Sequence, residues 1–133
     1  MASTLPAQHI TISIDRPFDE VNDYLSVPAN FEQWAAGLGN GFHQVNGEWV
    51  FGNPDAPSKI RSTSKNEFGV ADHTVMPQPG VEIYVPMRVV ANEEGSEVIF
   101  TLFRRPEMTD QQLEDDSAAV RRDLEKLKAI LEA

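Results

Sequence analysis

The sequence contains no cysteine, which excludes disulfides, thiol nucleophiles and zinc–thiolate sites. Positive charge is also scarce. Eleven Lys and Arg stand against 21 Asp and Glu, for a formal net charge of −10. Arg16 is the single basic residue in the first 58 positions, beside seven acids. Nucleic-acid binding neutralises phosphates with lysine and arginine, so neither a polyanion nor an anionic membrane surface is an expected partner. The acidic balance keeps the chain soluble. No stretch approaches the ~20 apolar residues of a membrane span, so no membrane insertion is expected. Met1 to Gln8 lacks the basic patch and apolar run of a secretory signal, which makes the cytoplasm the expected location.

Specific chemistries are missing as well. The sequence holds no Gly-x-Ser-x-Gly elbow, which argues against an esterase. The Gly37-Leu38-Gly39-Asn40-Gly41 run follows a helical pattern rather than preceding one, unlike a phosphate loop. His9 and His43 stand beside no carboxylate cluster at ligand spacing, so neither a metal nor any other cofactor is expected. No repeat, low-complexity tract or linker interrupts the 133 residues. The length suits one domain that buries roughly two-thirds of its unfolded surface.

What is present is clear periodicity. Ile10, Ile12 and Ile14 alternate within Gln8 to Ile14, the pattern of a half-buried strand. Asp15-Arg16-Pro17 then starts a helix, because proline's fixed φ suits a first helical turn; Phe18, Val21 and Leu25 give it one apolar stripe. Pro28 opens a second short helix carrying Phe31, Trp34 and Leu38, which Gly37, Gly39 and Gly41 end. Asn46-Gly47 between Gln44-Val45 and Glu48 to Phe51 predicts a tight hairpin. Further strands are expected at Lys59 to Asn66, Val70 to Met76, Val81 to Ala91 and Ser96 to Arg104, separated by turn residues. Pro86 lacks a ladder N–H and marks an edge, bulge or bend.

Asp110 to Glu132 reads as one long amphipathic helix. Thr109 and Gln112 form a capping box at its start, with Met108 and Leu113 placed as a hydrophobic staple. Leu113, Val120, Leu124, Leu127 and Leu131 supply its apolar stripe. Strand, two short helices, six or so strands and a long helix define an α+β chain with segregated elements.

This pattern resembles the SRPBCC superfamily, the START and Bet v 1-like proteins. Arg16-Pro17-Phe18-Asp19-Glu20-Val21 through Phe31-Glu32-Gln33-Trp34, Gly69 to His73, Pro86 to Val90, and Val120 to Leu131 carry the likeness, which runs from His9 to Glu132. It implies a helix-grip fold: a curved antiparallel sheet of about six or seven strands around the C-terminal helix. Relatives include polyketide cyclases, lipid and quinone carriers and chaperone-activating domains, so the likeness implies a fold rather than a reaction.

Hairpin parity sorts the cavity walls. A four-residue loop at Asn92 to Gly95 pairs Ala91 with Ser96. Ile83, Val85, Met87 and Val89 then share an apolar face with Val98, Phe100 and Leu102. Extending the count over a four-residue loop at Pro77 to Gly80 places Thr74 and Asp72 on this inward face, with Arg61 and Thr63 joining them. His73 then lies opposite, near Tyr84. A single bulge reverses the assignment, but adjacent strand residues always point to opposite faces. Asp72 and His73 therefore cannot form a dyad, and one of them faces the cavity.

The expected binding residues are thus Trp34, Arg61, Asp72, His73, Val85, Met87, Phe100, Val120 and Leu124. Asp72 with Arg61 reads either as an anchor for a polar ligand head or as a structural ion pair. His73 reads either as a proton shuttle near neutral pH or as a histidine satisfied within its strand. Trp34 reads as a cavity roof or as core. The leading expectation is a monomer or homodimer that binds a small hydrophobic molecule between sheet and helix. The alternatives are a polyketide cyclase-like enzyme, with His73 or Asp72 as acid–base and Arg61 or Tyr84 steadying an enolate, and a protein-interaction module.

Overall fold

The computed structural model describes residues 2–35 and 38–133. Strand β1 (Ala7–Ile14) alternates as its isoleucines demand, and Ile10 and Ile14 lie in the core. Pro17 caps α1 (Phe18–Leu25); a 3₁₀ turn (Pro28–Asn30) leads into α2 (Phe31–Trp34). Residue 37 of the expected glycine stop lies outside the described residues. Strands β2 (His43–Val45) and β3 (Glu48–Phe51) flank Asn46 and Gly47, whose φ values of 52° and 82° are the left-handed pair a two-residue hairpin needs. There follow β4 (Ser58–Ser62), β5 (His73–Met76), β6 (Ile83–Val85), β7 (Met87–Asn92), β8 (Gly95–Phe103) and α3 (Asp110–Glu132).

The strands form two antiparallel sheets, ordered β2-β3-β4-β5-β6 and β1-β8-β7. Pro86 is the hinge between them. Lacking an N–H, it splits the expected strand Val81 to Ala91 in two, while its carbonyl accepts the Thr101 N–H at 2.9 Å. Strand β4 ends at Ser62 and β5 starts at His73, both shorter than expected. Between them Val70 makes only an isolated bridge to Arg88.

The register of β7 on β8 is the expected one, with Ala91 opposite Ser96 and Met87 opposite Phe100. The β5–β6 register is not. His73 pairs with Val85 and Thr74 with Tyr84, which leaves Val81 in the loop beside Pro77 to Gly80. A turn closed by the Val81 N–H on the Gln78 carbonyl, with Gly80 at φ 82°, accommodates the extra residue. One residue of slip turns every side chain of a strand over. His73 therefore faces inward and Asp72 outward. Arg61 pairs with Thr74 as expected, and so accompanies Asp72 to the outer face.

Helix α3 runs alongside β1 in the same direction. Ser117 Oγ donates to Gln8 Oε1 at one end, and the Asp15 N–H donates to Glu132 at the other. The fifteen helical residues between these contacts rise about 22 Å, and the seven strand residues span about 23 Å. The two elements match in length. The capping box is complete: Thr109 Oγ1 accepts the Gln112 N–H at 3.1 Å, and Gln112 Oε1 accepts the Thr109 N–H at 2.9 Å. Leu124, Leu127 and Leu131 are buried with Ile10, Ile14, Met87, Val89 and Val98. No helix among the described residues is long and apolar enough to cross a membrane.

Candidate functional site

Between α2, α3 and the inward faces of β5, β6 and β8 lies a cavity of about 340 Å³. Helix α2 contributes Phe31 and Trp34, followed by Ala35 and Leu38; the strands contribute His73, Val75, Ile83, Val85, Phe100 and Leu102. Asp116, Ala119, Val120 and Asp123 face it from α3, and Arg105 completes the lining. The helical contribution follows from spacing. Residues 116, 119, 120 and 123 form an i, i+3, i+4, i+7 stripe, next to the core stripe of Leu124, Leu127 and Leu131. A second depression, a groove of about 480 Å³, runs between β6 and β8 and shares Ile83, Val85, Leu102 and Arg105 with the cavity. These two strands are not paired with one another, because Pro86 has already diverted the chain.

His73 is the buried polar group at the cavity wall, only 4% exposed. Its Nδ1 lies 3.2 Å from the Ala71 carbonyl. A carbonyl only accepts, so Nδ1 carries the proton and the neutral ring keeps its lone pair on Nε2. Burial pushes the imidazole's pKa below its ordinary value, outweighing the Ala71 hydrogen bond and the nearby Asp72 charge. The ring is neutral at neutral pH. Phe31 and Phe100 meet it edge-on, with centroids 5.0 and 6.3 Å away. Ser62, directly opposite His73 in the ladder, has an enclosed hydroxyl without a hydrogen-bond partner among the described residues.

Asp72, one residue away, is occupied on the other face. Its carboxylate accepts from Arg88 Nε at 2.9 Å and Arg88 Nη2 at 2.8 Å. It also accepts from the Met87 N–H at 2.8 Å and the Tyr84 hydroxyl at 3.0 Å. The Arg88 hydrogen bonds hold its pKa below the ordinary carboxylate value, against the opposing effect of burial. The Met87 amide belongs to the first residue after Pro86. Asp72 thus braces the hinge between the two sheets.

The expected residues divide accordingly. Trp34, His73, Val85, Phe100 and Val120 meet at the cavity. Met87 and Leu124, at 0% and 1% exposure, are core residues rather than lining. Leu124 sits one position round the helix from the cavity stripe. The inward placement of Asp72 and Arg61 is corrected by the β5–β6 register; Arg61 reaches Glu82 instead, at 3.1 Å on the surface. Ala119 and the three charged lining residues carry no apolar signal in the sequence, whereas Leu38 belongs to the expected stripe of Phe31 and Trp34. Phe31 was detectable, since it stands one turn before Trp34 on the same helical stripe.

The chain has the helix-grip fold of the SRPBCC, Bet v 1-like proteins. Solved structures that share it include Ara h 8.0201, 9% identical with a TM-score of 0.65 over 96% of this chain and 97% of that one. The Aha1 dimer from Colwellia psychrerythraea is 16% identical, with a TM-score of 0.72 over 96% and 97%. DynU16, encoded in the dynemicin biosynthetic locus, is 15% identical with a TM-score of 0.70. This chain covers 47% of DynU16, about half its length. Identities this low establish shared architecture and leave activity open. No family model and no curated protein matches the sequence.

Proposed function

We propose that the protein binds a small, mainly apolar molecule in the cavity between α2, α3 and the sheet. The observation that carries this reading is the cavity itself: an aromatic and aliphatic lining with one buried polar ring at its wall, and Arg105, Asp116 and Asp123 as its charged residues. Its volume of about 340 Å³ falls at the small end of ligand pockets, which run from ~300 to 1,000 Å³. The occupant is correspondingly a molecule of one or two rings.

The cyclase-like alternative finds one group in place and its helpers elsewhere. His73, with a neutral Nε2, lines the cavity. Arg61 and Tyr84, the groups expected to steady an enolate, lie on the outer face, where Tyr84 donates to Asp72. Binding without turnover is therefore the better-supported reading.

1-Naphthylamine, a neutral two-ring fluorophore, tests it. The full chain should bind one equivalent saturably. Ala119→Trp, which projects an indole from α3 into open space, should weaken binding at least tenfold while unfolding stays cooperative. Absent binding, or undiminished binding in a folded Ala119→Trp variant, would overturn the reading.

A further inference from the structure

Granting that the cavity binds a ligand, we propose that the ligand's buried polar group is a neutral hydrogen-bond donor, a hydroxyl or N–H, received by His73 Nε2. The argument is one of unmet capacity. Nδ1 is committed to the Ala71 carbonyl, so the ring has a single remaining site, and that site is an acceptor. No described residue supplies a donor to it. Ser62, its ladder neighbour, lies beyond hydrogen-bond reach of the ring. Ser62 Oγ is also the one fully enclosed side-chain polar atom without a partner among the described residues. Among the described residues Nε2 is therefore not sealed in, and His73 lines the cavity.

The surroundings select against the obvious competitors. A carboxylate or phosphate head needs a cation or several donors. His73 is held neutral by burial, and the Nε of Arg105 is engaged by Glu107 at 2.9 Å. Asp116 and Asp123 add two negative charges to the same lining. A purely apolar ligand would fill the cavity but leave Nε2 buried and unpaired, which is unfavourable. A flat ring suits the edges and faces of Phe31, Trp34 and Phe100. The ligand class is thus an uncharged aromatic carrying a donor, of which a phenol is the simplest.

Four probes of one shape decide the matter: 2-naphthol, 2-methoxynaphthalene, naphthalene and 2-naphthoate, titrated calorimetrically into the full chain near neutral pH. 2-Naphthol should bind about tenfold tighter than naphthalene, the worth of one buried hydrogen bond. 2-Methoxynaphthalene, which has the oxygen but no donor, should lose that advantage, and 2-naphthoate should bind weakest. In His73→Phe the naphthol preference should vanish while naphthalene still binds. Equal affinity for naphthol and its methyl ether, tightest binding of naphthoate, or a preference that survives His73→Phe would overturn the assignment and leave the cavity reading standing. If naphthalene and the other three all fail to bind, the cavity reading falls and this inference with it.

Discussion

Asp72 and His73 are neighbours in sequence and opposites in circumstance. Asp72, on the outer face, accepts four hydrogen bonds from three residues. His73, on the inner face, makes one among the described residues and has an acceptor left over. A polar group whose capacity is saturated by its own protein is a structural element. A buried group with unspent capacity beside an open cavity is available to something else. The contrast separates a brace from a candidate binding group without reference to any relative.

The contrast breaks most visibly at the brace. Asp72→Ala should cost about 2–3 kcal/mol, because hydrogen bonds to a charged acceptor are among the stronger ones and the Met87 amide is left without its partner. Thermal unfolding would show it as a clear drop in Tm, while naphthol affinity measured well below that temperature should be unchanged. A neutral effect on stability would mean that the hinge at Pro86 holds without Asp72.

His73 should behave in the reverse manner, with a pH signature. In the folded protein burial resists protonation of the imidazole, whereas the unfolded chain takes up a proton near the ordinary value of 6.5. Below that pH the unfolded state binds more protons, so stability falls as pH drops, by at most about 1.4 kcal/mol per pH unit. Asp72 has the same sign in a lower window: its contribution is complete above its ordinary 3.8 and is lost as pH falls further. His73→Phe should change stability at neutral pH by less than about 1.5 kcal/mol, as a similarly shaped apolar replacement. It should also flatten the decline below pH 6.5 in urea titrations. An unaltered slope would show that His73 is not the buried group responsible.

The fold was legible because its signals are local. The capping box at Thr109 and Gln112, the Asn46-Gly47 turn and the alternating isoleucines of β1 each act over a few residues. The cavity was only half legible. Its α3 wall sets Val120 among Asp116, Ala119 and Asp123, so a search for apolar periodicity finds Val120 but otherwise Leu124, Leu127 and Leu131. Those leucines pack the core; the smaller and more polar stripe beside them leaves room. The β5–β6 register was illegible for another reason. Whether Val81 belongs to the strand or to the loop is worth one residue, and that residue decides which of two adjacent polar side chains is buried. Both alternatives put a β-branched residue and a run of turn formers in acceptable places, so local propensity does not discriminate between them.

Arg61 gives the smallest effect and tests that register directly. If Asp72 faced inward, Arg61 would stand beside it as a buried partner, and removing it would leave an uncompensated charge at a cost of roughly 3–5 kcal/mol. In the observed register Arg61 meets Glu82 with both side chains more than 60% exposed. Such pairs contribute about 0–1 kcal/mol. Arg61→Ala should therefore shift stability by less than about 1 kcal/mol, lose even that in high salt, and leave the affinity for naphthol unchanged. A multi-kilocalorie loss would return Asp72 to the interior and take His73 out of the cavity.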